Sequence, residues 1–158
     1  MFSLSQSVGY ALRALVCMEG QDCRTHYTRD IAACSGVPAA YLPKVFKKLA
    51  DGGVLEAKRG RTGGTRLSRP AEAVSLLDIA EAVEGKDFLP DCLLGDGFCD
   101  GSRQCPCRSF WQAERERIRS ELKRISLAGL IAAERGDQGG SESTGTCREA
   151  NAKTISNP

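Results

Sequence analysis

The stretch from residue 28 to residue 70 constrains this chain most. It holds two short apolar-striped segments split by a glycine, then a glycine-rich turn carrying arginines. Thr28 suits the N-cap of a short helix whose inward residues are Ile31 and Ala32, and Gly36 ends it. A second helix is expected from Pro38, which at a first-turn position has no N–H to leave unpaired. Leu42, Val45, Phe46 and Leu49 form its apolar stripe, and Gly52 and Gly53 terminate it. Ala32 leaves room for the two helices to cross, Gly36 permits the tight turn, and Val37, Leu42 and Val45 lock the angle. This is the helix-turn-helix pattern, which presents the exposed face of its second helix.

That face carries Ala39, Ala40, Tyr41, Lys44, Lys47 and Lys48. The first of these suit a DNA major groove, and the later lysines suit phosphates. Two strand-like segments, 54–59 and 65–68, flank a glycine-rich turn at 60–64, which is a hairpin signal. Its tip offers Arg59, Arg61 and Thr62, with Arg66 on the return strand. Arginine on a slim loop fits a narrow, electronegative minor groove. Between Tyr41 and Arg69 lie eight basic residues against two acids, a local +6 in a chain whose net charge is +2. A focused basic excess in a nearly neutral protein points to a polyanionic partner, here double-stranded DNA. Neutralising about five phosphates predicts a log–log salt slope of roughly −4 to −5 per subunit.

The remaining segments complete a mainly α architecture with one β-hairpin wing: a winged helix-turn-helix with a long added helix. Apolar positions at helical spacing predict a helix over 4–19, and Ser75 and Gly85 bracket another over 76–84. A long charged helix is expected from about 109 to 125, with Trp111, Ile118, Leu122 and Ile125 in one stripe. The stripe fits a partner helix, either within this chain or in a second copy. Glu114/Arg117, Glu116/Arg119 and Glu121/Arg124 supply i,i+3 pairs along it. A short apolar piece over 127–133 continues it or folds back. The expected organisation is a DNA-binding domain at 1–85, a cysteine-rich sensor loop at 86–107, a dimerisation helix region at 108–134 and a disordered tail at 135–158.

No apolar run approaches the roughly 20 residues of a membrane span, and the N-terminus reads as a helix rather than an export signal, so a cytoplasmic setting is expected. An enzyme is not expected: no histidine stands at a catalytic spacing from a cysteine or serine, and the glycines at 60–64 join two strands instead of cradling phosphate. Of eight cysteines, Cys92, Cys99, Cys105 and Cys107 cluster in the loop. In a reducing compartment such a cluster reads as metal-binding or redox-active sooner than as disulfides. Cys17 and Cys34, in helical segments, read most simply as small core residues.

The chain resembles the Rrf2 family of bacterial regulators, which includes IscR-like and NsrR-like repressors. The residues that carry the likeness are LSQSVGYALRAL, GVPAAYLPKVFKKLADGGVLEAKRG, GGTRLSRP and SLLDIAEAVEG, so that it spans 4–133. The resemblance implies a homodimer that controls transcription, as a repressor, at a palindromic operator. It also implies an iron–sulfur cluster, 2Fe–2S or 4Fe–4S, on Cys92, Cys99 and Cys105. Soft thiolates suit such a cluster, whereas zinc favours cysteine pairs with two to four residues between them, and only Pro106 separates Cys105 from Cys107. The fourth ligand departs from the family's pattern: the IscR-like histidine position is Arg108, and the NsrR-like acidic position aligns with Gly9. Cys107 is the candidate substitute, and His26 a remote one. A cluster-free regulator, worked by a thiol switch or by a bound partner protein, is the alternative.

Overall fold

The computed structural model describes residues 4–20, 28–58, 64–94 and 105–137. Helix α1 (Gln6–Gly20) is the hub, and it packs against α2 (Thr28–Ser35), α3 (Leu42–Asp51), α4 (Leu76–Glu84) and α6 (Leu127–Asp137). Its buried residues Val8, Ala11, Leu15 and Met18 meet Ile31 of α2, Leu42, Val45 and Leu49 of α3, and Ile79 and Val83 of α4 in one core. Burying a leucine or valine of this kind contributes roughly 1.5–3 kcal/mol, so the core sets the mutual angles of the helices. The described helices include none long and apolar enough to cross a membrane.

The hairpin grows directly out of α3. Val54 is buried and donates its N–H to the Leu49 carbonyl at 2.8 Å, and the Ser68 N–H returns to the Val54 carbonyl at 3.0 Å. Strands β1 (Leu55–Lys58) and β2 (Gly64–Leu67) pair antiparallel, with Leu55 opposite Leu67 and Glu56 opposite Arg66. The architecture is therefore the expected one, mainly helical with a two-stranded wing.

Helix α4 begins where Ser75 was expected to cap it. The Ser75 hydroxyl accepts from the Asp78 N–H at 3.1 Å, and the Asp78 carboxylate accepts from the Ser75 N–H at 2.8 Å. Arg69, just after the wing, reaches the same carboxylate at 2.9 Å and donates to the Ala73 carbonyl. Burial works against ionisation of Asp78, but the Ser75 N–H and the Ser75 hydroxyl, both donating to the carboxylate at 2.8 Å, and Arg69 outweigh it and hold the carboxyl below its ordinary 3.8. A depressed acid contributes stability above its unfolded value, and that contribution disappears as pH falls through the folded one. Wild-type protein should thus lose stability as pH falls below about 3.8 that Asp78→Asn does not lose. Superimposable acid-unfolding curves of the two proteins, followed by circular dichroism, would rule this out.

Three expectations need correction. Helix α3 starts at Leu42 rather than Pro38, because Pro43 has no N–H to give the carbonyl of residue 39. The residues ahead of α3 instead form a turn closed by the Tyr41 N–H on the Pro38 carbonyl at 2.9 Å. On α5 (Arg108–Arg124), the pairs Glu114–Arg117 and Glu121–Arg124 form, but Arg119 turns to Glu81 of α4 instead of Glu116. The piece after α5 folds back as α6, burying Leu127 and Ile131 in the core, and runs to Asp137, past the expected tail boundary at 135. Residues beyond it lie outside the described part.

Candidate nucleic-acid interface and cysteine recess

The amphipathic split of α3 governs the first site. Leu42, Val45, Phe46 and Leu49 are buried, so the side chains between them must face outward. Tyr41 stands 53% exposed at the head of α3, and Lys44 and Lys47 follow it along the exposed face. Ala39 and Ala40 are exposed in the preceding turn, not on the helix. Lys47 is held by Asp51 at 2.7 Å, an exposed pair worth at most about 1 kcal/mol and therefore readily exchanged for a phosphate.

Lys48 departs from its expected role. It is half-buried and donates its ammonium to the Val83 carbonyl near the end of α4, so it ties α3 to α4 instead of facing outward. Arg66 pairs with Glu56 across the hairpin, in register with it, and both remain largely exposed. Arg59, Arg61 and Thr62, at the tip, lie outside the described residues.

Two residues escaped the sequence reading. Tyr10 of α1 packs against Tyr41, with ring centroids 5.6 Å apart, and Arg13 lies over the Tyr10 ring at 5.1 Å. They brace the aromatic head of α3 and bring another cation beside it. The i,i+3 spacing of Tyr10 and Arg13 was a visible signal, but nothing in the sequence says which helix α1 would touch.

The second site lies at the start of α5. Cys92, on the loop after α4, and Cys105 and Cys107, just before α5, line one small recess with Leu93, Leu94, Arg108 and Trp111. All three are free, half-buried thiols, and Cys107 occupies the N-cap position of α5. Trp111, expected in the stripe that meets a partner helix, is instead buried and donates its indole N–H to the Pro90 carbonyl at 2.8 Å. Arg115 holds Asp91 at 2.5 Å, so two contacts pin the loop to α5. Cys99 lies outside the described residues. Among the described residues no group of three cysteine, histidine or acidic side chains closes into a metal site. The donor type suits iron–sulfur ligation; the described donors alone do not complete it.

The sequence matches the profile of the Rrf2 family, iron-dependent transcriptional regulators, over residues 4–133. The chain belongs to the Rrf2 family. Rrf2 proteins are transcription regulators that bind DNA, not enzymes, which accords with the outward basic face of α3. Among relatives, the transcriptional regulator IscR of Yersinia pseudotuberculosis is 31% identical over 102 residues, covering 65% of this chain and 62% of that protein. Protein aau3 of Rhizobium meliloti is 31% identical over 103 residues, covering 65% and 64%. The matched region thus spans under two thirds of these relatives. In fold, the chain resembles CymR, the global cysteine regulator of B. subtilis, with TM-score 0.67, 22% identity and coverage of 84% of this chain and 98% of that one. It resembles T. potens IscR equally, with TM-score 0.67, 20% identity and coverage of 89% and 94%.

Proposed function

We propose that this Rrf2 regulator is a cytoplasmic homodimer that represses transcription at an inverted-repeat operator, gated by an iron–sulfur cluster in its cysteine loop. Cys92, Cys99 and Cys105 are its ligands, with Cys107 as fourth. The observation that carries the gating is the recess itself, where Cys92 from one side of the loop meets Cys105 and Cys107 from the other, at the first turn of α5. When bound, the cluster supplies an oxidisable, iron-dependent tie between the loop and that helix. Arg108 sets positive charge beside the thiols, and the buried Trp111 covers one side of them.

DNA reading on this proposal falls to Tyr41, Lys44 and Lys47 in the major groove, with Ala39 and Ala40 at its edge. Arg59, Arg61 and Thr62 serve the minor groove, and Arg66 a phosphate. Pairing falls to α5, which already packs on its own α4 and leaves Phe110 57% exposed and its C-cap Ile125 39% exposed. Half-sites about one helical turn apart require a fixed spacing between two copies of α3, so a change at the start of α5 alters operator affinity.

The family's two fourth-ligand positions hold Arg108 and Gly9 here, which favours a second reading, a cluster-free regulator worked by thiol oxidation or by a bound protein. Anaerobic purification separates the two. The cluster reading expects a coloured protein containing iron and sulfide, and a colourless one with altered operator binding after combined Cys92→Ala, Cys99→Ala and Cys105→Ala replacement. Wild-type protein purified without oxygen and lacking both elements would overturn it.

A further inference from the structure

Cys17 and Cys34 are not merely small core residues. The structure joins them as a disulfide between α1 and α2, with Cα atoms 6.1 Å apart, an ordinary separation for such a bond. Both residues are half-buried instead of sealed in the core. They sit on α1 and α2, apart from Cys92, Cys105 and Cys107, which are free thiols in their own recess.

The position of the bond matters. Helix α2 is eight residues long, too short to persist without tertiary support, and Ile31 is its one buried side chain. Its last turn leads into the turn that aims α3: the Ser35 hydroxyl donates to the Ile31 carbonyl at 2.6 Å, and the Gly36 N–H to the Ala32 carbonyl at 3.1 Å. Gly36 itself has φ +63°, a conformation that other residues resist. Cys34 precedes this turn directly, so a bond from it to α1 fixes the point from which α3 departs.

A DNA-binding regulator works among reducing thiols, where a disulfide is transient and redox-sensing rather than a permanent staple. We propose that Cys17 and Cys34 form a reversible redox site, oxidised by a peroxide and reduced by a cellular dithiol, that locks α2 onto α1. One thiolate attacks the peroxide, its O–O bond breaks, and a sulfenic acid forms as the alcohol or water leaves. The second thiolate attacks that sulfur, the S–O bond breaks, and water departs with the remaining proton. The net change is two thiols and one peroxide to one disulfide, one water and one alcohol or second water. A dithiol returns both electrons by exchange and ends as its own disulfide. The locked form presents α3 already arranged, so it holds a duplex about three- to tenfold more tightly than the reduced form.

Full-length protein treated with hydrogen peroxide, then alkylated and digested with trypsin, tests this. Cys23 shares a tryptic peptide with Cys17, so Cys23→Ala is the necessary companion to Cys17→Ala and Cys34→Ala. The linked peptide is expected in wild type and Cys23→Ala, and absent from the other two. Its formation should raise the melting temperature by about 10 °C, with dithiothreitol reversing the rise. Retention of a duplex selected from random sequence on the wild-type protein should rise with it. Both thiols remaining alkylatable, a link running through Cys23, or a link that changes neither melting nor retention would each overturn the proposal. Only the retention arm rests on the DNA-reading proposal. Failure of both redox forms to hold any duplex would count against that reading, while peptide mapping and melting still decide the redox site.

Discussion

Gly52→Ala should destabilise the protein by about 3 kcal/mol, a drop of roughly 10 °C in melting temperature, although it adds a single methyl group. A Cβ at Gly52 would land on the Ala82 Cβ and lie 2.9 Å from the Ala82 Cα, so α3 and α4 would have to separate. The backbone at Gly52 has φ −82°, which any residue accepts, so the cost is purely steric. Gly53 provides the contrast. Nothing stands within 4 Å of its Cβ position, but its φ is +71°, and alanine there should cost about 1 kcal/mol through backbone strain. Ala82→Gly removes the nearest clashing atom and should recover part of the Gly52→Ala loss in the double variant, a coupling that Gly53→Ala should not show. A Gly52→Ala protein within 0.5 kcal/mol of wild type, by urea unfolding, would mean that the α3–α4 contact is looser than described.

The double replacement Lys44→Ala, Lys47→Ala should weaken duplex binding by about 10- to 100-fold at moderate salt and flatten the log–log salt slope by nearly 2 per subunit. Both ammonium groups stand on the outward face of α3, and the Asp51 partner of Lys47 is too exposed to retain it against a phosphate. Lys48→Met should behave differently. Its ammonium is already given to the Val83 carbonyl, so the slope should stay unchanged while stability falls by about 1 kcal/mol. Equal slopes for wild type and the Lys44/Lys47 variant, measured by fluorescence anisotropy from low to high salt, would remove this face from the interface.

Local signals made most of the fold legible. The Ser75 cap and Gly85 stop bracket α4 where the sequence places them, because capping depends on neighbours in the chain. The stripe of α3 was equally plain, since four buried residues leave little choice of face. What stayed hidden depended on partners distant in sequence. Lys48 and Arg119 look like surface cations until α4 supplies Val83 and Glu81. Trp111 continues a partner-facing stripe until Pro90 offers it a carbonyl. Cys17 and Cys34 share no recognisable spacing, and only the crossing of α1 and α2 brings them together. At the cysteine loop the residues announced their chemistry, but which donors converge is decided by how the loop folds onto α5.

The ends of α5 carry a mechanical consequence. Near its start the Trp111 indole grips the Pro90 carbonyl; at its finish the Ile125 carbonyl accepts from the Leu76 N–H at 2.8 Å, and the Leu127 N–H donates to the Val74 carbonyl at 2.8 Å. A rod clamped at both ends cannot swivel on its own. Torque applied to α5 is handed to α4 and, through the Lys48 tether, to the last turns of α3.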